Sequence, residues 1–243
     1  MHQAILSLGG RADSGRSRPF FGEAEDGHGY FFKRDNVSHE QLVIEYVFSR
    51  LADECGLPVA PPALLVLPAE LIEYSVDPGR HELSPGIAFG SQKVPYADDL
   101  RTAHLRAIDE ELKGRVLCFD WWVRNGDRCL DRAGGQPNVL WDPVLQSIVL
   151  IDHDRALDQD FDERQFLQEH VFRDIRNSLD LAFVEKWRIK FESALYHLDH
   201  IWAELPEEWL RDATGESRVS VTCESTASQL LKPRLSVTGL LPG

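Results

Sequence analysis

Asn125-Gly-Asp127-Arg128, followed by Pro137-Asn138-Val-Leu140 and then by Ile151-Asp152-His153-Asp154, is the stretch whose reading decides this chain. Two apolar runs, Val139-Leu140-Trp141 and Ser147-Ile-Val-Leu-Ile151, separate the polar groups and read as short strands. The acid, the amide and the second acid then fall on loops at strand ends. That order is what phosphoryl transfer from Mg-ATP needs. One carboxylate meets the acceptor hydroxyl, while an amide oxygen and another carboxylate hold the metal ions that bridge the phosphates. Lys33 and Glu45, upstream, complete such a site if they face each other.

Each of these residues also has a plainer reading. Asp127, in a glycine-containing turn after a helix ending in Trp121-Trp122, can simply satisfy nearby backbone N–H groups. Asn138 can cap a strand start. Asp152 is harder to explain structurally, because a buried apolar strand that ends in Asp-His-Asp gathers carboxylates that a metal ion would neutralise. Histidine is a poor Mg²⁺ ligand, so His153 reads as packing or as support behind the ligands. Asp154 is an outer ligand or a partner of Arg155 or Arg128. Arg128 braces the Asp127 loop or is an exposed arginine. Lys33 ends an apolar strand, where a lone lysine is often just the exposed end. The loop Gly15-Arg16-Ser17-Arg18 offers N–H groups and guanidinium groups to phosphate, or is a plain hairpin tip.

The chain has 243 residues, 43% hydrophobic and 27% charged, which is ordinary globular composition. Its formal net charge of −14 would repel a nucleic-acid duplex, so direct nucleic-acid binding is not expected. Cys55, Cys118, Cys129 and Cys223 show no C-x-x-C spacing and read as thiols in a reducing compartment. The first residues lack a basic segment followed by an apolar one, and no long apolar run follows. A cytoplasmic protein without a membrane span is expected.

Outward from the motifs, residues 1–35 read as three strands of a small antiparallel sheet. Gly9-Gly10 stops the first, and Asp26-Gly27-His28-Gly29 turns between the second and third. Ser38-x-x-Gln41 is a capping box, and a helix runs from Gln41 to Cys55 until Gly56 and Pro58 end it. Leu64-Leu-Val-Leu67 reads as an edge strand, and Pro85 to Gln92 as a short strand broken by glycine. Leu105, Ile108, Leu112, Val116 and Phe119 predict a helix from Leu100 to Arg124. The chain after Leu157 reads as loop to about Gln168. A second strong helix lies between Asp180 and Glu204, capped by Asp180 or Ser178, and residues 214–243 read as a partly ordered tail.

Taken together, Gly15-Arg-Ser-Arg-Pro19, Tyr30-Phe-Phe-Lys33, Glu45 in a helix closing at Gly56-Leu-Pro-Val59, Phe89-Gly-Ser91 and the three downstream motifs resemble the HipA-like kinase family. That family is related to the HipA toxin kinases and, more distantly, to phosphatidylinositol kinases. The resemblance spans residues 9–160. It implies a two-lobed α+β kinase fold, with a small antiparallel-sheet N-lobe carrying one helix over 1–97, a mainly helical C-lobe over 98–213, and the tail at 214–243. It further implies that Lys33 contacts the ATP phosphates and pairs with Glu45, and that Gly15, Arg16 and Ser17 lie in the phosphate loop. By the same resemblance, Phe89, Gly90, Ser91, Gln92 and Lys93 are expected near the adenine hinge, Asp127 is expected to be the catalytic base, and Asn138 and Asp152 are expected to hold Mg²⁺.

Two departures from the HipA toxins stand out. Their Asn follows the Asp closely, whereas here the segment Cys129 to Gln136 intervenes, and their histidine after the Asp-Arg pair is Cys129 here. The N-terminal module of full-length HipA toxins is not recognised either, so toxin activity is not implied. The expected partners are ATP, a protein substrate of unknown identity and an unknown regulatory partner, with Ser14 or Ser17 as sites of autophosphorylation. Two rivals remain: a nucleotide-binding pseudokinase, and a metal-dependent hydrolase built on Asp152, His153 and Asp154.

Overall fold

A computed structural model of the chain describes residues 2–12, 17–130, 137–232 and 239–241. In chain order the strands are β1 (Gln3–Arg11), β2 (Phe20–Ala24), β3 (Gly29–Lys33), β4 (Pro62–Leu67), β5 (Gly86–Gln92), β6 (Asp98–Asp99), β7 (Val139–Asp142) and β8 (Ser147–Leu150). The helices are α1 (His39–Glu54), α2 (Ala69–Tyr74), α3 (Glu110–Val123), α4 (Glu163–Glu169), α5 (Leu181–Ala194), α6 (Leu198–Ala203), α7 (Glu207–Leu210) and α8 (Cys223–Leu230). This is a mixed α+β fold in two compact units. The first comprises residues 1–46, 60–94 and 204–220, and the second comprises 47–59, 95–203 and 221–243. No helix among the described residues is long and apolar enough to cross a membrane.

The first unit is built on a closed barrel in the order β1-β2-β3-β5-β4. Sequence reading expects an antiparallel sheet here, and β1–β2, β2–β3, β3–β5 and β4–β5 do pair that way. The correction is the closure, because β1 pairs with β4 in parallel, Gln3 opposite Leu65 and Ala4 opposite Val66. β4 is therefore not an edge strand: it is bonded on both sides, and Leu65 and Leu67 are almost fully buried. Gly9-Gly10 does not stop β1 either. Gly10 takes φ +93°, a conformation glycine adopts at little cost, and the strand runs on through a register shift between Leu8 and Arg11. Ile5, Phe20, Tyr30, Phe32, Leu65 and Leu67 form the core, with Phe20 and Phe32 stacked at 5.8 Å.

Helix α1 starts as its sequence predicts. The Ser38 hydroxyl accepts from the Gln41 N–H at 3.2 Å, and the Gln41 side chain accepts from the Ser38 N–H at 3.1 Å. It ends at Gly56, where the Leu57 N–H turns back to the Ala52 carbonyl at 3.0 Å.

In the second unit, the helix expected from Leu100 breaks in two. A 3-10 turn covers Thr102–Arg106, and α3 starts only after Asp109, whose carboxylate accepts from the Leu112 N–H at 3.0 Å. Residues 114 and 116–123 of α3 are all buried. Phe119 and Trp122 pack on Phe191 of α5, the latter stacked at 5.3 Å. Asp180 caps α5 through the Phe183 N–H at 2.7 Å. The stretch read as loop before Gln168 holds α4, capped by Asp162. Within residues 214–243, Thr222 caps α8 in a capping box with Ser225.

Gly90 lies in β5 against the barrel core, where a Cβ would come within 2.8 Å of Leu65 Cγ. The Gly90→Ala variant is expected to be destabilised by about 1–3 kcal/mol through overpacking, read as a lower urea midpoint at unchanged slope.

Candidate functional site

In the first unit, Lys33 is the last residue of β3 and Glu45 lies on α1. Lys33 Nζ stands 2.9 Å from Glu45 Oε2, and the two residues are only 5% and 2% exposed. The strand end is thus not an exposed lysine but one half of a buried ion pair. Such a pair contributes little net stability, because desolvation offsets the attraction.

β5 carries the segment assigned to the hinge. Phe89, Gly90 and Ser91 are paired on one side with Lys33, Phe32 and Phe31 and on the other with Leu64, Ala63 and Pro62. Their main chain is engaged in the ladder, and the Phe89 side chain is buried. Gln92 closes the strand opposite Tyr30, and Lys93 follows it, its ammonium 5.3 Å from the centre of the Phe21 ring. Ser17 lies between β1 and β2, where its carbonyl accepts from the Asn36 side chain at 2.6 Å. Ser14, Gly15 and Arg16 lie outside the described residues.

In the second unit the downstream motifs come together at one end of the β7–β8 hairpin. Val139 pairs with Leu150, so Asn138 and Ile151, the residues just outside the strands, face each other, and the Ile151 N–H donates to the Asn138 carbonyl at 3.1 Å. The Asn138 side-chain amide donates to Asp127 Oδ2 at 3.1 Å. The residues between them in sequence therefore do not keep the amide from the acid. Asp152 follows Ile151 directly, and one of its carboxylate oxygens lies within 4.8 Å of one from Asp154. Asn138 and Asp152 take φ +53° and +57°. Asn and Asp tolerate this left-handed conformation better than most residues, yet it still requires support from the surroundings.

That support is Arg128. It is fully buried, and it is the brace considered in the sequence rather than an exposed arginine. Its Nη1 donates to the carbonyls of Asn138 at 2.5 Å and Ile151 at 3.2 Å, and its Nε donates to Asp120 Oδ2 at 2.8 Å. Asp120, on α3, also accepts from the Asn125 side chain at 3.1 Å. Asn125 Oδ1 in turn accepts from the Asp127 N–H at 3.3 Å. One buried carboxylate thus holds both the Asp127 loop and, through Arg128, the backbones next to Asn138 and Asp152.

Asp120 and His170 are the site residues that sequence reading missed. His170 Nε2 lies 3.0 Å from Asp120 Oδ2, while the Phe172 N–H donates to His170 Nδ1 at 3.1 Å. A nitrogen that accepts carries no proton, so the ring is neutral and donates through Nε2. Burial, the largest cause, pushes His170 below the ordinary imidazole value of 6.5 against the pull of Asp120. For Asp120 burial acts upward, but the Arg128 charge and the bonds from His170 and Arg128 together hold it below 3.8. The signal was present in sequence: Asp120 is an acid inside the apolar run Cys118-Phe-Asp-Trp-Trp122. His153 is buried, with Nδ1 3.2 Å from Ser49 Oγ and its ring edge-on to Phe119, which is a packing environment.

Two outcomes test this hub. His170 is held neutral, so its contribution is complete above pH 6.5. It falls as pH drops below 6.5, because the unfolded chain takes up a proton that the folded chain refuses. Chemical denaturation between pH 7.5 and 5 is expected to show that loss, and a His170→Gln variant is expected to lack this component. Arg128→Met leaves Asp120 buried without its main cation, and a loss of about 3–5 kcal/mol is expected in the same measurement.

Comparison with curated proteins gives no significant match. Among solved structures, the chain is similar to the proinflammatory kinase CtkA of Helicobacter pylori, at 10% identity and a TM-score of 0.46 over 87% of this chain and 88% of that one. A model of the HipA-like kinase family matches residues 5–234, nearly the whole length, and the chain therefore belongs to the HipA-like kinase family.

Proposed function

We propose that this kinase transfers the γ-phosphate of ATP to a hydroxyl, that of a Ser or Thr in a protein, with its own Ser14 or Ser17 among the acceptors. The observation that carries the reading is the Asp127–Asn138 contact, held at the hairpin end by Arg128. The donors there, Asn138, Asp152 and Asp154, are all hard oxygens, which suits Mg²⁺ rather than a softer metal. His153, which the hydrolase alternative needs as a ligand, is buried with Nδ1 at Ser49 Oγ and its ring against Phe119, which speaks against that alternative. Lys33, fixed by Glu45, is a single positive charge suited to phosphate oxygens.

In this reading residues 1–97 form the nucleotide lobe and 98–213 the catalytic lobe of a kinase-like fold. Mg-ATP, when bound, supplies the activated phosphoryl group. The chain supplies position and charge. Asp127, exposed on its loop, accepts the proton of the acceptor hydroxyl and orients the oxygen for in-line attack. Asn138 and Asp152 hold the metal, while Asp154 lies beside Asp152. Lys33 holds the α- and β-phosphates, and Glu45 keeps its ammonium in place. Residues Phe89 to Lys93 border the adenine. The ladder engages the main chain of this whole segment, the Gln92 N–H donating to the Pro61 carbonyl at 3.0 Å and the Lys93 N–H to the Gly29 carbonyl at 2.8 Å, so side chains of the strand end rather than free backbone groups would meet the base. A protein acceptor is favoured over a lipid because the net charge of −14 opposes an anionic membrane surface. A cytoplasmic setting provides ATP and keeps the buried Cys55 and Cys118 reduced.

With Mg²⁺ and γ-labelled ATP, label on protein is expected for the wild type. The Asp127→Ala variant is expected to lose about 10²- to 10⁴-fold in transfer rate while ATP still raises its melting temperature. Full transfer by the variant overturns the assignment of Asp127. A wild type that binds ATP and labels no protein substrate, including itself, points to the pseudokinase alternative.

A further inference from the structure

We infer that two described pieces of the C-terminal chain, α8 and residues 239–241, together form a strap that positions the catalytic loop, an inference that rests on the role proposed above for Asp127. Three residues at the end of α3 touch these pieces, and the loop Asn125–Arg128 begins immediately after them. Trp121 faces Gly239, where an added Cβ would lie 2.9 Å from its ring. Trp122 Nε1 donates to the Leu230 carbonyl at 3.1 Å. Arg124 donates from Nη2 to Gln229 Oε1.

Arg124 is the residue on which the direction of the loop turns. It caps α3 in the left-handed conformation, φ +56°, which a side-chain-bearing residue holds only when its surroundings fix it. Its N–H returns to Asp120 and Trp121, and the Asn125 N–H follows to the Asp120 carbonyl at 2.8 Å. A change in this cap would rotate Asn125, and with it the N–H of Asp127 that Asn125 holds.

The far end of the strap is anchored independently. Leu240 is 1% exposed and lines an apolar slot with Cys118, Trp121 and Trp122 of α3 and Val184 and Phe191 of α5. Arg176 clamps the main chain there, Nε to the Leu240 carbonyl at 2.6 Å and Nη2 to the Leu241 carbonyl at 2.8 Å. Leu230, 2% exposed, fixes the near end. Two pieces each anchored by a buried leucine, one of them bonded to the residue that caps the helix, control how firmly the loop is held. None of these residues is placed at the reacting atoms, so Gln229, Leu230 and Leu240 are positioning residues.

The test uses the full chain with Gln229→Ala, Leu240→Ala and Gln229→Glu. Amide hydrogen exchange over residues 124–130 is read alongside kcat and KM for ATP. Gln229→Ala and Leu240→Ala are expected to speed exchange in the loop and to lower kcat about 10- to 100-fold, with KM for ATP within about twofold, as a misplaced base would. Gln229→Glu keeps a partner for Arg124 and is expected to restore both. Unchanged exchange in the loop overturns the strap. Faster exchange with unchanged kcat overturns its link to catalysis. A wild type that transfers no phosphate overturns the proposed function instead, and loop exchange then decides alone whether the strap holds the loop.

Discussion

The contact between Arg128 and Asp120 is the interaction on which the candidate site depends. Both residues are wholly buried, and their side chains meet at 2.8 Å. Neither is placed at the chemistry. Their value lies in number and direction of bonds: a guanidinium donates in a fixed plane, so one arginine can hold a carboxylate on one side and two carbonyls on the other. Those carbonyls belong to Asn138 and to Ile151, the neighbour of Asp152. Two loops from different parts of the chain are thereby registered to helix α3 through one side chain. His170 completes the arrangement by using the same carboxylate oxygen, and it does so as a neutral donor that adds no second cation beside Arg128.

The Lys33–Glu45 pair follows a related logic in the first unit. Two charges removed from water gain little on balance, and an apolar pair of similar volume would often serve stability as well or better. The presence of such a pair at the end of a core strand is easier to understand if the lysine has a task that needs its charge. The left-handed backbones of Asn138 and Asp152 make a parallel case. Each is a local conformation that costs energy, and each falls on a residue proposed above to hold the metal.

Much of this arrangement was legible in the sequence, and what was missed has definite causes. The capping box of α1, the Asp180 cap and the strands around the motifs could be read because each rests on neighbours in the chain. So could the candidates Asp127, Asn138 and Asp152, since the acids and the amide break apolar runs. The parallel pairing of β1 with β4 could not, because it joins segments about sixty residues apart and leaves no local trace. Asp109 and Asp162 were overlooked as caps, which cost the start of α3 and all of α4. Asp120 is marked by its apolar run, but what it holds is not, because its partners stand five, eight and fifty residues away.

The closure of the barrel also constrains how the chain is made. β1 leaves the ribosome well before its parallel partner β4, which follows only after β2, β3 and the whole of α1. Until residues 62–67 emerge, one edge of β1 has no partner and one side of the hairpin array is open. A nascent chain in that state presents bare N–H and C=O groups to any other strand, the ordinary route to mispairing. Closure of the barrel therefore waits on a contact between segments remote in sequence, the kind of contact that slows folding.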